Sequence, residues 1–133
     1  MRTYLAVSCG VLAGMAIGAF AVQGLHAQAK ASIYLITEIA VKDADRYGAE
    51  FAPKAPATIN AGGGKFIVIG GTAGASAKPI TAMDGSPPKR FTVQQCESMD
   101  AMKKWYDGAD FQAALNIGKQ YADFRRFSIE GQQ

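Results

Sequence analysis

Residues 89–130 read "KRFTVQQCESMDAMKKWYDGADFQAALNIGKQYADFRRFSIE", and the order of patterns within them decides the fold. "KRFTVQQC" (89–96) alternates side-chain character at period two, the mark of a strand. Ser98 then stands where an N-cap belongs. Met102, Trp105 and Tyr106 follow at i, i+3 and i+4, which is one face of a helix. Asp107-Gly108 stops that helix, and Asp110 is placed to cap the next. There Phe111, Ala114, Leu115, Gly118 and Tyr121 form a single stripe. "FRRFSIE" (124–130) alternates again as a last strand.

The same order appears upstream. "SIYLITEIAV" (32–41) is β-branched and alternating, with Ile33, Leu35, Thr37, Ile39 and Val41 on one side. Asp43 is placed to cap a helix in which Tyr47, Phe51, Ala55 and Ile59 recur every fourth residue. Pro53 and Pro56 interrupt that stripe, and Pro56 suits the first position of a second helical piece. "NAGGG" ends it, and "KFIVIGG" (65–71) is a short apolar strand. "TAGASAKPITAMDGSPP" (72–88) is a loop of small residues, three prolines and a D-G turn. The order is therefore β-α-β-β-α-β. It predicts an α+β, ferredoxin-like domain with a four-stranded antiparallel sheet and helices on one face.

The N-terminus sets the compartment. Arg2 precedes an uncharged run from Tyr4 to Val22, and Ala27-Gln28-Ala29 follows. Charge, apolar run and A-x-A in that order make a secretory signal, residues 1–29, cleaved before Lys30. The mature protein is then periplasmic or secreted. The competing reading is an uncleaved inner-membrane anchor, since about 18 uncharged residues are long enough to span. Only in that case is the membrane a partner.

Cleavage leaves residues 30–133 as one domain of 104 residues. Cys9 and His26 leave with the signal, so Cys96 has no disulfide partner and no imidazole remains. Histidine triads, histidine relays and histidine ligation of metal or haem are excluded. Without a Cys/His cluster the chain offers no transition-metal site, and the residues call for no cofactor. Losing Arg2 leaves 13 of the 14 basic residues against 11 acidic ones, a charge of +2. That is too small and too scattered for nucleic acid.

Two helices cover one face of a sheet, so the other face needs an occupant. Read by alternation, the helix side takes Ile33, Leu35, Ile39, Phe91, Val93, Phe127 and Ile129. The opposite side takes Tyr34, Ile36, Glu38, Arg90, Thr92, Gln94, Arg126 and Ser128, with half of "FIVI". That face is too apolar for water and too polar for a core. It suits face-to-face pairing with a second copy, a dimeric α+β barrel enclosing a sheet-lined cavity. On this reading Tyr34, Glu38, Arg90, Gln94, Arg126 and, from the helix rim, Tyr106 are the ligand-binding candidates. Glu38, Arg90 and Arg126 would be neighbours, forming either a pocket for a small anionic or carbonyl-bearing molecule or a self-satisfied ion-pair network. Trp105 reads as a core anchor against the sheet.

Three stretches together resemble a known family: "YLITEIAVKDADRYGAEFAPKAPATINAGGGKFIVIGG" (34–71), "PPKRFTVQQCESMDAMKKWYDGADFQAAL" (87–115) and "FRRFSIEG" (124–131). They are similar to Domain of Unknown Function 1330, within the dimeric α+β barrel superfamily. The resemblance implies the ferredoxin-like fold and a homodimer, and it implies no reaction. Related barrels include cofactor-independent monooxygenases and isomerases, which is analogy at the level of fold.

Three functions stand open at this level: an exported small-molecule binder, a cofactor-independent enzyme with Glu38 as general base, and an interaction module using the 72–88 loop. "AGGGKF" is a helix-to-strand turn rather than a phosphate loop, since no Ser or Thr follows Lys65. Cys96 lacks a histidine base and reads as a small buried thiol. Asp43, Asp107 and Asp110 are caps and turn residues rather than a catalytic pair.

Overall fold

The computed structural model describes residues 30–72 and 76–132. The segment read as an export signal, residues 1–29, and its A-x-A site lie outside the described residues. In chain order the elements are β1 (Ile33–Val41), α1 (Ala44–Arg46) running into a π-helical turn (Tyr47–Phe51), and α2 (Lys54–Ala61). Then come β2 (Lys65–Gly71), β3 (Arg90–Cys96), α3 (Met99–Tyr106), α4 (Ala109–Tyr121) and β4 (Ala122–Glu130).

The four strands form one antiparallel sheet in the order β2-β3-β1-β4. This is the βαββαβ arrangement that the pattern predicts. No helix among the described residues is long and apolar enough to cross a membrane.

Local chemistry explains where the elements start and stop. The Asp43 carboxylate accepts from the Arg46 backbone N–H at 3.0 Å, and the Ser98 hydroxyl accepts from Ala101 at 3.1 Å. Gly63, at φ +78°, makes the turn into β2 that an L side chain resists. Pro56 stands third in α2 rather than first. It is still within the first turn, where an amide N–H has no intrahelical acceptor to lose. Asp110 is not the cap of α4: Gly108 holds that position without a side-chain bond, and Asp110 sits in the first turn facing the positive helix end. The loop after β2 is also more ordered than its composition suggests. Lys78 lies parallel to β2, donating to Ile69 O at 2.8 Å and accepting from Gly71 N at 2.9 Å. That cover blunts a free sheet edge.

Helices and sheet bury two clusters. One joins Ile33, Leu35, Ile59, Cys96, Met102, Trp105, Phe111 and Leu115. The other joins Ile39, Tyr47, Phe51, Ala55, Ala114, Tyr121 and Ala122. The predicted stripes Tyr47–Phe51–Ala55–Ile59 and Phe111–Ala114–Leu115–Gly118–Tyr121 are buried throughout. Gly118 lets α4 approach the π turn, because a Cβ there would lie 2.6 Å from the Phe51 ring.

The register corrects which side chains face the helices. Leu35 pairs with Gln94, Thr37 with Thr92 and Arg126, and Leu35 with Ser128. Paired residues share a face, so Arg90, Thr92, Gln94, Cys96, Phe124, Arg126 and Ser128 stand on the helix side with Ile33, Leu35, Thr37 and Ile39. Phe91, Val93, Phe127 and Ile129 are on the other face, with Tyr34, Ile36 and Glu38. The assignment of β1 holds; those of β3 and β4 are inverted.

Candidate functional site

The inversion moves the arginines from the open face of the sheet into the space beneath the helices. A cavity of about 80 Å³ lies there, at the seam between the two apolar clusters. One row of side chains crosses its floor from strand to strand: Ile69, Thr92, Thr37 and Arg126. A bulge between Phe66 and Val68 lets both Phe66 and Ile69 face inward, three residues apart in one strand. The roof comes from Tyr47 and Phe51 of the π turn, Ala55 and Ile59 of α2, and Trp105 and Phe111. A π-helical turn is an uncommon feature that tends to occur at functional sites.

Two guanidinium groups enter this largely apolar space. Arg90, at the start of β3, lies 5.4 Å from the Tyr47 ring centroid and hydrogen-bonds its hydroxyl. Burial raises the Tyr47 hydroxyl's pKa above its ordinary value, against the opposing pull of Arg90 and Arg126. The hydroxyl therefore keeps its proton at neutral pH, accepts from Arg90 and has that proton to donate. Arg126 stacks on Phe124 at 4.2 Å, lies 5.7 Å from Phe111 and donates to the Tyr106 hydroxyl. Burial lowers its pKa, with Tyr106 and Tyr47 acting in the other direction; an arginine remains charged all the same.

Among the described residues that line the cavity there is no Asp, Glu or His. Neighbouring acids are engaged elsewhere. Glu50 of the π turn accepts from the Tyr121 hydroxyl at 2.8 Å, and Asp43 caps α1.

Of the six binding candidates, the structure brings Arg90, Gln94 and Arg126 to one cavity and puts Tyr106 against Arg126. Tyr34 and Glu38 face away, on the open side of the sheet. Glu38 lies 3.4 Å from exposed Arg125, not beside Arg90 and Arg126. The Gln94 amide donates to the Cys96 thiol at 3.6 Å. Burial raises the Cys96 pKa, opposed by that bond, so the thiol stays protonated and a poor nucleophile. Trp105 is a core anchor and also a wall of the cavity. Its indole N–H donates to Thr58 Oγ1 at 3.2 Å, and its ring lies 4.0 Å from that of Phe111.

Sequence reasoning missed Tyr47, which it placed in the helix stripe without a polar role. The signal available was a tyrosine in a stripe otherwise free of hydroxyls, since a buried Tyr hydroxyl needs a partner.

The model of one family, Domain of unknown function (DUF1330), matches residues 32–132. Among curated proteins none matches this sequence. Solved structures share the fold. A protein of unknown function from Rhodopseudomonas palustris superposes with a TM-score of 0.57 at 14% identity, over 78% of this chain and 85% of that one. SnoaB, a cofactor-independent oxygenase from Streptomyces nogalater, gives 0.55 at 12% identity, over 77% of this chain and 95% of that one. A proposed antibiotic biosynthesis monooxygenase from Caulobacter crescentus gives 0.52 at 15% identity, over 79% and 93%.

Proposed function

The chain belongs to the family Domain of unknown function (DUF1330), and from that premise we propose an exported homodimer that binds a compact anionic or carbonyl-bearing molecule between its sheet and helices. The observation that carries this is the convergence of Arg90 and Arg126 on one cavity whose described lining is otherwise largely apolar. Buried charge is costly unless it is paired. A ligand carboxylate or enolate would give Arg126 a counter-charge beside Arg90, and its apolar body would meet Phe51, Ile59, Phe66 and Trp105. A carbonyl oxygen would instead take the proton of Tyr47. The volume of about 80 Å³ favours small acids over drug-sized ligands, whose pockets run to about 300–1,000 Å³.

Trp105 makes the test simple, because it is the only tryptophan of the chain and lines the cavity. Titration with acetate, butyrate and benzoate is expected to change its fluorescence saturably, with affinity rising as the apolar body grows. A chain whose fluorescence ignores the whole series does not bind anions at this place. Glu38 does not serve this cavity as a base, so the structure lends no specific support to the oxygenase or isomerase reading.

The homodimer rests on the open face. Tyr34, Ile36, Phe91 and Val93 line its centre, with Val68 44%, Phe127 42% and Ile129 57% exposed around them. A large apolar patch of this kind needs a cover, and a second copy offers the same patch in return. Native mass spectrometry of the exported protein is expected to give a dimer of chains beginning at Lys30. Phe127→Glu should convert it to monomer, and a wild-type monomer would remove the homodimer from the proposal.

A further inference from the structure

Three neighbouring pockets share lining residues with the inner cavity, and their walls differ in kind. One, of about 380 Å³ beside Glu38 and Arg125, meets it only at Ile39 of the hydrogen-bonded strand β1. A groove of about 510 Å³ between α2, α3 and α4 shares Trp105 and Phe111 with the cavity. That wall is fixed. The two rings pack tilted with centroids 4.0 Å apart, the indole is bonded to Thr58, and a Cβ at Gly62 would lie 2.8 Å from the indole. The groove also carries Glu97 and Asp110 against a single Lys104, a poor path for an anion.

The third neighbour is a pocket of about 460 Å³ lined by Tyr106, Lys119, Ala122, Asp123, Phe124 and Arg126. Its one residue in common with the inner cavity is Arg126. Here the dividing wall is a long side chain held by ring faces and one hydroxyl, all contacts that a carboxylate can replace. Lys119 stands exposed at the rim. The one acid, Asp123, is held by Lys42 at 2.6 Å, which leaves the pocket's field positive.

We propose that this outer pocket is a loading site for organic carboxylates, which enter the inner cavity as the Arg126 guanidinium leaves the Tyr106 hydroxyl and turns inward with them. The proposal rests on the anion-binding reading of the cavity. In the outer pocket Lys119 attracts the anion and Arg126 receives it. The same guanidinium then serves the bound state beside Arg90, so no charge is stranded along the way.

The test is stopped-flow mixing of the full chain with benzoate, followed by Trp105 fluorescence. Lys119→Glu reverses a rim charge outside the cavity and, being exposed, should leave the fold intact. Rim charges act on association more than dissociation. The association rate is expected to fall about tenfold at low salt, with dissociation unchanged. The difference should vanish near 1 M salt, where the screening length drops to about 3 Å. Lys104→Glu, in the acidic groove, should leave both rates alone. If Lys119→Glu binds as fast as wild type, or Lys104→Glu is the slow variant, the loading site is wrong while the cavity reading survives. A rise in dissociation alone would make Lys119 a contact of the bound ligand and overturn the loading role. If wild type itself gives no signal with benzoate or butyrate, the cavity reading falls and takes the loading site with it.

Discussion

Leu115→Ala is expected to cost about 3–4 kcal/mol of stability, within the range measured for burying and then deleting a leucine side chain. Leu115 is 1% exposed and is the largest fully buried side chain of the described residues. It sits on the inward stripe of α4, in the cluster that also holds Ile33 and Leu35 of β1 and Trp105 and Phe111 of the helical layer. Neighbours on both sides are fixed, by sheet hydrogen bonds below and by the packed Trp105 and Phe111 rings above, so little collapse can fill the void. For a domain of this size each kcal/mol lowers Tm by about 4–8 °C. A fall of at least about 12 °C by circular dichroism is therefore the expected result. Leu115 does not line the cavity, so carboxylate binding measured well below the new Tm should be kept. A loss under about 1 kcal/mol would mean that α4 is not the cover of this sheet.

The element order was legible because each signal is local. Ser98 and Asp43 cap as their types predict, and the stripes at every third or fourth position survive in the buried faces of the π turn, α2 and α4. The facing of β3 and β4 was not legible, for a reason that lies in the residues. Alternation tells which side chains share a face but not which face is inside, and the usual cue is that apolar means buried. In "RFTVQQC" that cue points Phe91 and Val93 at the helices. Thr92, Gln94 and Cys96 go there instead, at 7%, 3% and 4% exposure, and Thr92 and Gln94 form part of the floor of the cavity. In "FRRFSIE" the guanidinium of Arg126 goes inward while Phe127 and Ile129 face out. β1 could be read correctly because Ile33, Leu35 and Ile39 outweigh Tyr34, Ile36 and Glu38 in apolar character. The bulge at Phe66 and Val68 left no trace in composition, and "FIVI" offers no polar residue to phase it. The places where the pattern fails are thus the places where the cavity lies, as expected when a site rather than a core decides the side chain.

Arg90→Gln and Arg126→Gln should each weaken benzoate binding by about 10- to 100-fold, while Glu38→Gln stays within about twofold of wild type. A hydrogen bond to a charged group contributes about 1.5–3 kcal/mol, and 1.4 kcal/mol is tenfold in affinity. The three substitutions together discriminate between the two faces of the sheet. Had the sheet faced as simple alternation suggests, Glu38 would neutralise one arginine, and its removal would strengthen anion binding. In the observed register Glu38 is across the sheet with Arg125, at 3.4 Å, and its charge is spent in solvent. The double variant adds a second test. If Arg90 and Arg126 hold one carboxylate between them, their losses will not add, since removing either already breaks the clamp. Additive losses would place the two arginines on separate ligand groups, an anion at one and a carbonyl at the other, with Tyr47 beside Arg90 as the natural donor to the carbonyl. Fluorescence titration of the four variants separates these cases. Equal affinity in all of them would mean that the guanidinium pair only supports the aromatic rings around it.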